Sequence, residues 1–137
     1  MSDQAPRATG ACLCGGVKFE VRGPLRDVII CHCGQCRRIH GHAAAFTSAD
    51  RCDVVFREDA KLKWYASSER ARRGFCGECG ASLFWEPLGE GRLAIAAGAL
   101  DAPTGLKTVR HVFADDAGDY YQIADGLPRD GASYYRG

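Results

Sequence analysis

The chain has 137 residues, room for one compact domain, and its 46% hydrophobic and 26% charged residues suit a chain that buries a core rather than a disordered or fibrous one. With 18 Lys+Arg against 17 Asp+Glu the formal net charge is +1, and no basic block tracks a phosphate backbone, so no nucleic-acid partner is expected. The first ten residues hold no apolar signal core and no apolar run approaches the ~20 residues of a membrane span, so the expectation is a cytoplasmic protein with no membrane partner.

Residues 1–9 read as a disordered lead and 10–137 as the domain. Val17 to Val21 alternates apolar and polar positions before Gly23-Pro24 turns the chain, which predicts a strand over 17–21. A short apolar run predicts the next over 27–31, leading into a cysteine cluster. One helical stretch is predicted, over 34–39, directly after that cluster. Further short strands are predicted over 43–47, 52–56, 62–66, 72–76, 82–85, 92–96 and 108–113. The aromatic and apolar run over 120–128 is expected to pack back on the domain, as are Tyr134 and Tyr135. The fold class is therefore mainly β, a small domain of twisted sheets with cysteines on its loops.

The 8 Cys are too many for packing alone. In a reducing compartment thiols stay free, which favours zinc ligands over a disulfide framework. Seven fall into three clusters: Cys12 and Cys14; Cys31, Cys33 and Cys36; Cys76 and Cys79. In C-x-x-C a nearby glycine lets the backbone curl so that both thiolates converge on one ion, and Gly80 follows Cys79. In C-x-C on an extended segment both side chains leave one face. Two such pairs can close a tetrahedral site that staples a small domain, although spacing does not say which pairs join. The middle cluster offers three corners of a tetrahedron. Its fourth is either open to substrate, which implies chemistry, or closed by Cys52 or a histidine, which makes the site structural. A thioredoxin-like redox pair fits less well, because it needs no companion clusters.

Taken together, the runs Gly10-Ala11-Cys12-Leu13-Cys14-Gly15-Gly16, Cys31-His32-Cys33-Gly34-Gln35-Cys36-Arg37-Arg38 and Phe75-Cys76-Gly77-Glu78-Cys79-Gly80-Ala81-Ser82 resemble the family of glutathione-dependent formaldehyde-activating enzymes and centromere protein V. Smaller matches follow at Gly98 to Asp101, at His111-Val112-Phe113 and at Asp125-Gly126-Leu127-Pro128, so the likeness extends from Gly10 nearly to the end. The resemblance implies twisted β-sheets with two zinc ions per chain. It puts Cys12, Cys14, Cys76 and Cys79 on a structural zinc and Cys31, Cys33 and Cys36 on a catalytic one, leaving Cys52 outside the motif. It also implies a carbon–sulfur lyase that condenses formaldehyde with glutathione to S-hydroxymethylglutathione, so a small-molecule thiol is the expected partner.

A zinc with three thiolates is a weak Lewis acid toward water but lowers the pKa of a fourth thiol, which suits this chemistry. Proton transfer needs an acid nearby, and His32 is the first candidate, with His40 and His42 behind it. The competing reading of His32 is a hydrogen-bonded ring turned away from the metal. Arg37 and Arg38 can pair with glutathione carboxylates, though adjacent arginines usually point to opposite sides. Arg70, Arg72 and Arg73 read as a solvated strand face, with a substrate-side basic patch as the alternative, and His111 as a structural histidine or a pocket residue. The alternative function is a binding or scaffold module in which both zinc ions are structural.

Overall fold

The computed structural model describes residues 5–132; Tyr134 and Tyr135, expected to pack on the domain, lie outside them. The fold is mainly β. Ten strands run in chain order: β1 (Ala8–Ala11), β2 (Lys18–Val21), β3 (Val28–Cys31), β4 (Ala44–Asp50), β5 (Val54–Glu58), β6 (Leu62–Tyr65), β7 (Ala71–Cys76), β8 (Ser82–Pro87), β9 (Arg92–Ala96) and β10 (Thr108–Val112). The single α-helix of the described residues, α1 (Gly34–His40), follows β3. Each predicted strand is present within three residues at either end, and the helix gains only His40. The strand β1 takes in Ala8 and Thr9, which the sequence had suggested were part of the lead.

The strands form two sheets, one of order β1-β2-β5 and one of order β10-β3-β4-β9-β8-β7-β6. In the larger, β10 runs parallel to β3 and every other pair is antiparallel. Because strand side chains alternate, each sheet has two distinct faces. Phe84 and Ile95 lie opposite each other on one face of the large sheet. They meet Phe19, Val21 and Val54 of the small sheet in the main core. Phe19 and Phe56 both pack edge-on against Phe84, with ring centroids 5.1 and 5.5 Å away, an arrangement that adds to area burial through the ring quadrupoles. The opposite face carries the row Ser48, Ala94, Trp85 and Arg73, in register across β4, β9, β8 and β7. That face faces away from the small sheet and carries the candidate site.

Gly10 lies tightly against the Phe19 ring and the backbone of Ala99. A Cβ there would overlap the Phe19 ring and lie 2.7 Å from the carbonyl oxygen of Ala99, and the backbone oxygen cannot swing aside. Gly10→Ala is expected to destabilise the domain by about 1–3 kcal/mol, read as a lower urea midpoint at unchanged slope.

Candidate functional site

Two cysteine groups form, each with its ligand atoms within 4.8 Å of one another: Cys12, Cys14, Cys76 and Cys79, and Cys31, Cys33 and Cys36. The pairing that spacing left open is thus Cys12 and Cys14 with Cys76 and Cys79. A tetrahedron with ~2.3 Å zinc–sulfur bonds has edges of about 3.8 Å. The Sγ atoms of Cys12 and Cys14, and of Cys14 and Cys76, are each 3.7 Å apart, so the four-sulfur group fits a zinc ion in both donor type and spacing.

Local backbone builds this group. The N–H of Val17 donates to Cys12 Sγ at 3.2 Å, and those of Glu78 and Cys79 to Cys76 Sγ at 3.4 Å each. Gly80 closes the second knuckle at φ 79°, a left-handed conformation that glycine adopts without strain, and its N–H donates to the Cys76 carbonyl. Backbone hydrogen bonds at Cys14 and Ala81 lower Cys79 to about 6. The Gly16 N–H lowers Cys14, but desolvation and the neighbouring sulfurs together outweigh it and raise this exposed thiol to about 11. Cys12 and Cys76 belong to the main core, and the half-buried Cys79 packs against it.

The three-sulfur group is built differently. Cys31 ends β3, and Cys33 is the N-cap of α1, its sulfur accepting the Cys36 N–H at 3.3 Å. One turn of helix therefore brings Cys33 and Cys36 to one side. Three sulfurs so close cannot all ionise beside one another. Hydrogen bonds from Cys31 and Cys36 hold Cys33 well below the usual thiol range, while Cys33 and Cys36 drive Cys31 far above it. A divalent cation among them removes that competition, and soft thiolates suit zinc.

Cys31 and Cys36 also border a cavity of about 420 Å³ on the free face of the large sheet. Ile29, Phe46, Trp85 and Val112 form apolar wall, while Arg26, Arg73, Glu90 and Arg92 bring charge. None of the four sulfurs of the other group lines it. Cys52 is exposed and joins neither group.

Arg37 and Arg38 are not among the residues of the cavity wall. Arg37 donates to the Asp116 carbonyl at 3.0 Å, and Arg38 is exposed. The arginine at the sulfurs is Arg73, which sequence reasoning had placed on a solvated face. It is buried, only 4% exposed, with Nε donating to Gln35 Oε1 at 2.8 Å and Nη2 reaching Cys36 Sγ at 3.6 Å. Its Nη1 has no hydrogen-bond partner among the described residues, and neither does Nε2 of His40. His40 is pushed down to about 4, first by burial and then by the charge of Arg73, so its ring is neutral near pH 7.

His32 is turned to the other side. Together with His42, His111, Tyr121 and Asp125 it lines a second cavity, of about 460 Å³. Its Nδ1 is 2.5 Å from the Tyr121 hydroxyl and its Nε2 is 2.8 Å from His111 Nδ1, while His111 Nε2 is 2.8 Å from Asp125. Asp125 only accepts, so His111 Nε2 donates to it, and in the tautomers in which each ring carries a single proton all the protons of this chain point the same way. The tyrosine hydroxyl donates to His32, His32 to His111, and His111 to the carboxylate. The 120–128 segment thus packs back through Tyr121 and Asp125, and it braces the residue between Cys31 and Cys33.

Fold and site together define a small two-sheet β protein whose thiols form one four-sulfur and one three-sulfur group able to hold metal ions, the second opening on a cavity. Residues 7–116 match the family of the glutathione-dependent formaldehyde-activating enzyme, and the chain belongs to that family. It is 28% identical over 122 residues to an uncharacterized lyase of Schizosaccharomyces pombe, with 88% of each chain covered. The crystal structure of a Rhodobacter sphaeroides protein superposes with a TM-score of 0.60 at 25% identity, covering 73% of this chain and 97% of that one.

Proposed function

We propose that the chain is a zinc-dependent carbon–sulfur lyase-like enzyme that makes and breaks an adduct between a small thiol and an aldehyde, S-hydroxymethylglutathione being the model case. The observation that carries this reading is the contrast between the two sulfur groups. Four sulfurs lie away from the cavity, whereas two of the other three form part of its wall. Family membership and the lyase-named relative support the same reaction class.

Zinc at Cys31, Cys33 and Cys36 supplies, when bound, a Lewis acid that lowers the pKa of a further thiol. The chain's own residues do the rest. Ile29, Phe46, Trp85 and Val112 exclude water, which strengthens every electrostatic contact at the sulfurs. The wall also carries the charged side chains Arg26, Arg92 and Glu90, with Arg92 paired to Asp50 at 2.7 Å and Arg26 Nη2 donating to the Phe46 carbonyl at 3.0 Å, a polar rim suited to a charged, peptide-like thiol. His32, bonded at both ring nitrogens, acts by positioning Cys31 and Cys33. Eight free thiols fit a reducing, cytoplasmic setting, and no helix of the described residues is long and apolar enough to cross a membrane.

Exchange of ¹³C-formaldehyde between its free and glutathione-bound forms, followed by NMR, tests the reading. Catalytic amounts of the zinc-loaded protein are expected to accelerate exchange, and chelation to abolish the effect. Exchange at the uncatalysed rate with both glutathione and other small thiols would favour the module in which both metals are structural.

A further inference from the structure

We infer that Arg73 is a catalytic residue of the cavity, its Nη1 donating a hydrogen bond to the oxygen on the carbon that bonds the substrate sulfur. The inference rests on the thiol-adduct reading above and assigns a role which that reading leaves open.

Three observations converge on Arg73. The first is its place: on β7 it is in register with Trp85, on the face that carries the cavity, and it shares the cavity wall with Cys31 and Cys36. The second is burial. A guanidinium only 4% exposed cannot turn to solvent for partners, so its donors must be met inside. The third is its fixed fork. Gln35 holds Nε and Cys36 takes Nη2, which orients the plane and leaves Nη1 as the donor without a protein partner, buried at the cavity wall so that a substrate oxygen meets it only by displacing the side chains packed over it.

This geometry suits the adduct. The sulfur of a thiol adduct belongs beside the three cysteine sulfurs, and the adduct's oxygen is one carbon further on. A donor anchored to Cys36 is therefore close to where oxygen charge develops. In the forward step the thiolate sulfur gives an electron pair to the carbonyl carbon and the C–S bond forms. The C=O π pair moves onto oxygen, where Nη1–H stabilises it, and a proton from solvent replaces the one lost when the thiol ionised. In reverse, the hydroxyl proton returns to solvent, C=O re-forms and the C–S pair leaves with sulfur. A pre-aimed donor of this kind contributes roughly 10²–10³-fold in rate.

The test compares Arg73→Met with the parent protein, both zinc-loaded, in calorimetric titrations with S-formylglutathione and S-ethylglutathione. These ligands have the same number of heavy atoms, and only the first has an oxygen on the carbon next to sulfur. The parent is expected to bind the formyl compound at least about tenfold more tightly, the worth of one hydrogen bond to a charged donor. Arg73→Met is expected to erase that preference while keeping its zinc and its affinity for the ethyl compound, and to slow formaldehyde exchange about 10²-fold or more. Arg73→Lys keeps the charge beside Cys36 without the fork; it is expected to lose the preference too, and it serves should the methionine variant not fold. Parent catalysis with a preference unchanged in both variants would overturn the role of Arg73 alone. A parent that neither catalyses exchange nor binds either ligand would overturn the thiol-adduct reading, and this inference with it.

Discussion

Replacing Cys76 by alanine is expected to abolish cooperative folding. Cys76 is fully buried in the main core, accepts two backbone N–H groups, and lies 3.7 Å from Cys14 across the four-sulfur group. A structural zinc supplies apparent binding energies of about 10–16 kcal/mol in small zinc domains, against a whole-domain stability of about 5–15 kcal/mol. Losing one ligand therefore removes a share comparable with the total. Circular dichroism and urea titration are expected to show a sloping, non-cooperative transition, and treatment with a strong chelator is expected to reproduce it in the parent. A Cys76→Ala protein that still unfolds sharply near the parent midpoint would show that the sheets hold without the staple.

Cys36→Ala should behave in the opposite way, staying folded while losing function. Cys36 belongs to the smaller hydrophobic cluster with Ile29, Phe46 and Val112, on the free face of the large sheet and away from the core between the sheets. Truncation there deletes one sulfur from a small residue, and the helix keeps its Cys33 cap. The variant is expected to bind one zinc per chain, to unfold cooperatively but at a lower temperature because the buried Arg73 Nη2 loses its partner, and to lose formaldehyde exchange by about 10³-fold or more, a modest part of the acceleration enzymes supply. Unfolding as severe as in Cys76→Ala would end the distinction between a staple and a working site.

Strand positions were legible because the signals are local. Alternation over 17–21, the apolar run over 27–31 and the glycine-marked turns each fall within a few residues. The strand β1 was missed because its pairing is with β2 and its sequence, Ala8-Thr9-Gly10-Ala11, has little alternation of its own. The cysteine groups were legible in membership, since ligand spacing is a covalent constraint, but their partnership came only from the family resemblance. Arg73 was misjudged for a physical reason. The register shift between Gly74 and Phe75 breaks the period-two pattern of β7, so the alternation that would have put Arg73 inside is interrupted before Cys76. Its partner Gln35 lies 38 residues away, a distance no local pattern spans. The His32–His111–Asp125 chain was hidden likewise, although Asp125 and His111 had each been marked by the family resemblance.

The central claim is that one sulfur group is closed and the other opens to substrate. Cadmium-113 NMR of the cadmium-substituted protein, before and after addition of glutathione, tests it most directly. Two resonances are predicted, of which glutathione shifts only one, and that one is absent from Cys36→Ala. A pair of resonances that both ignore glutathione would contradict the claim.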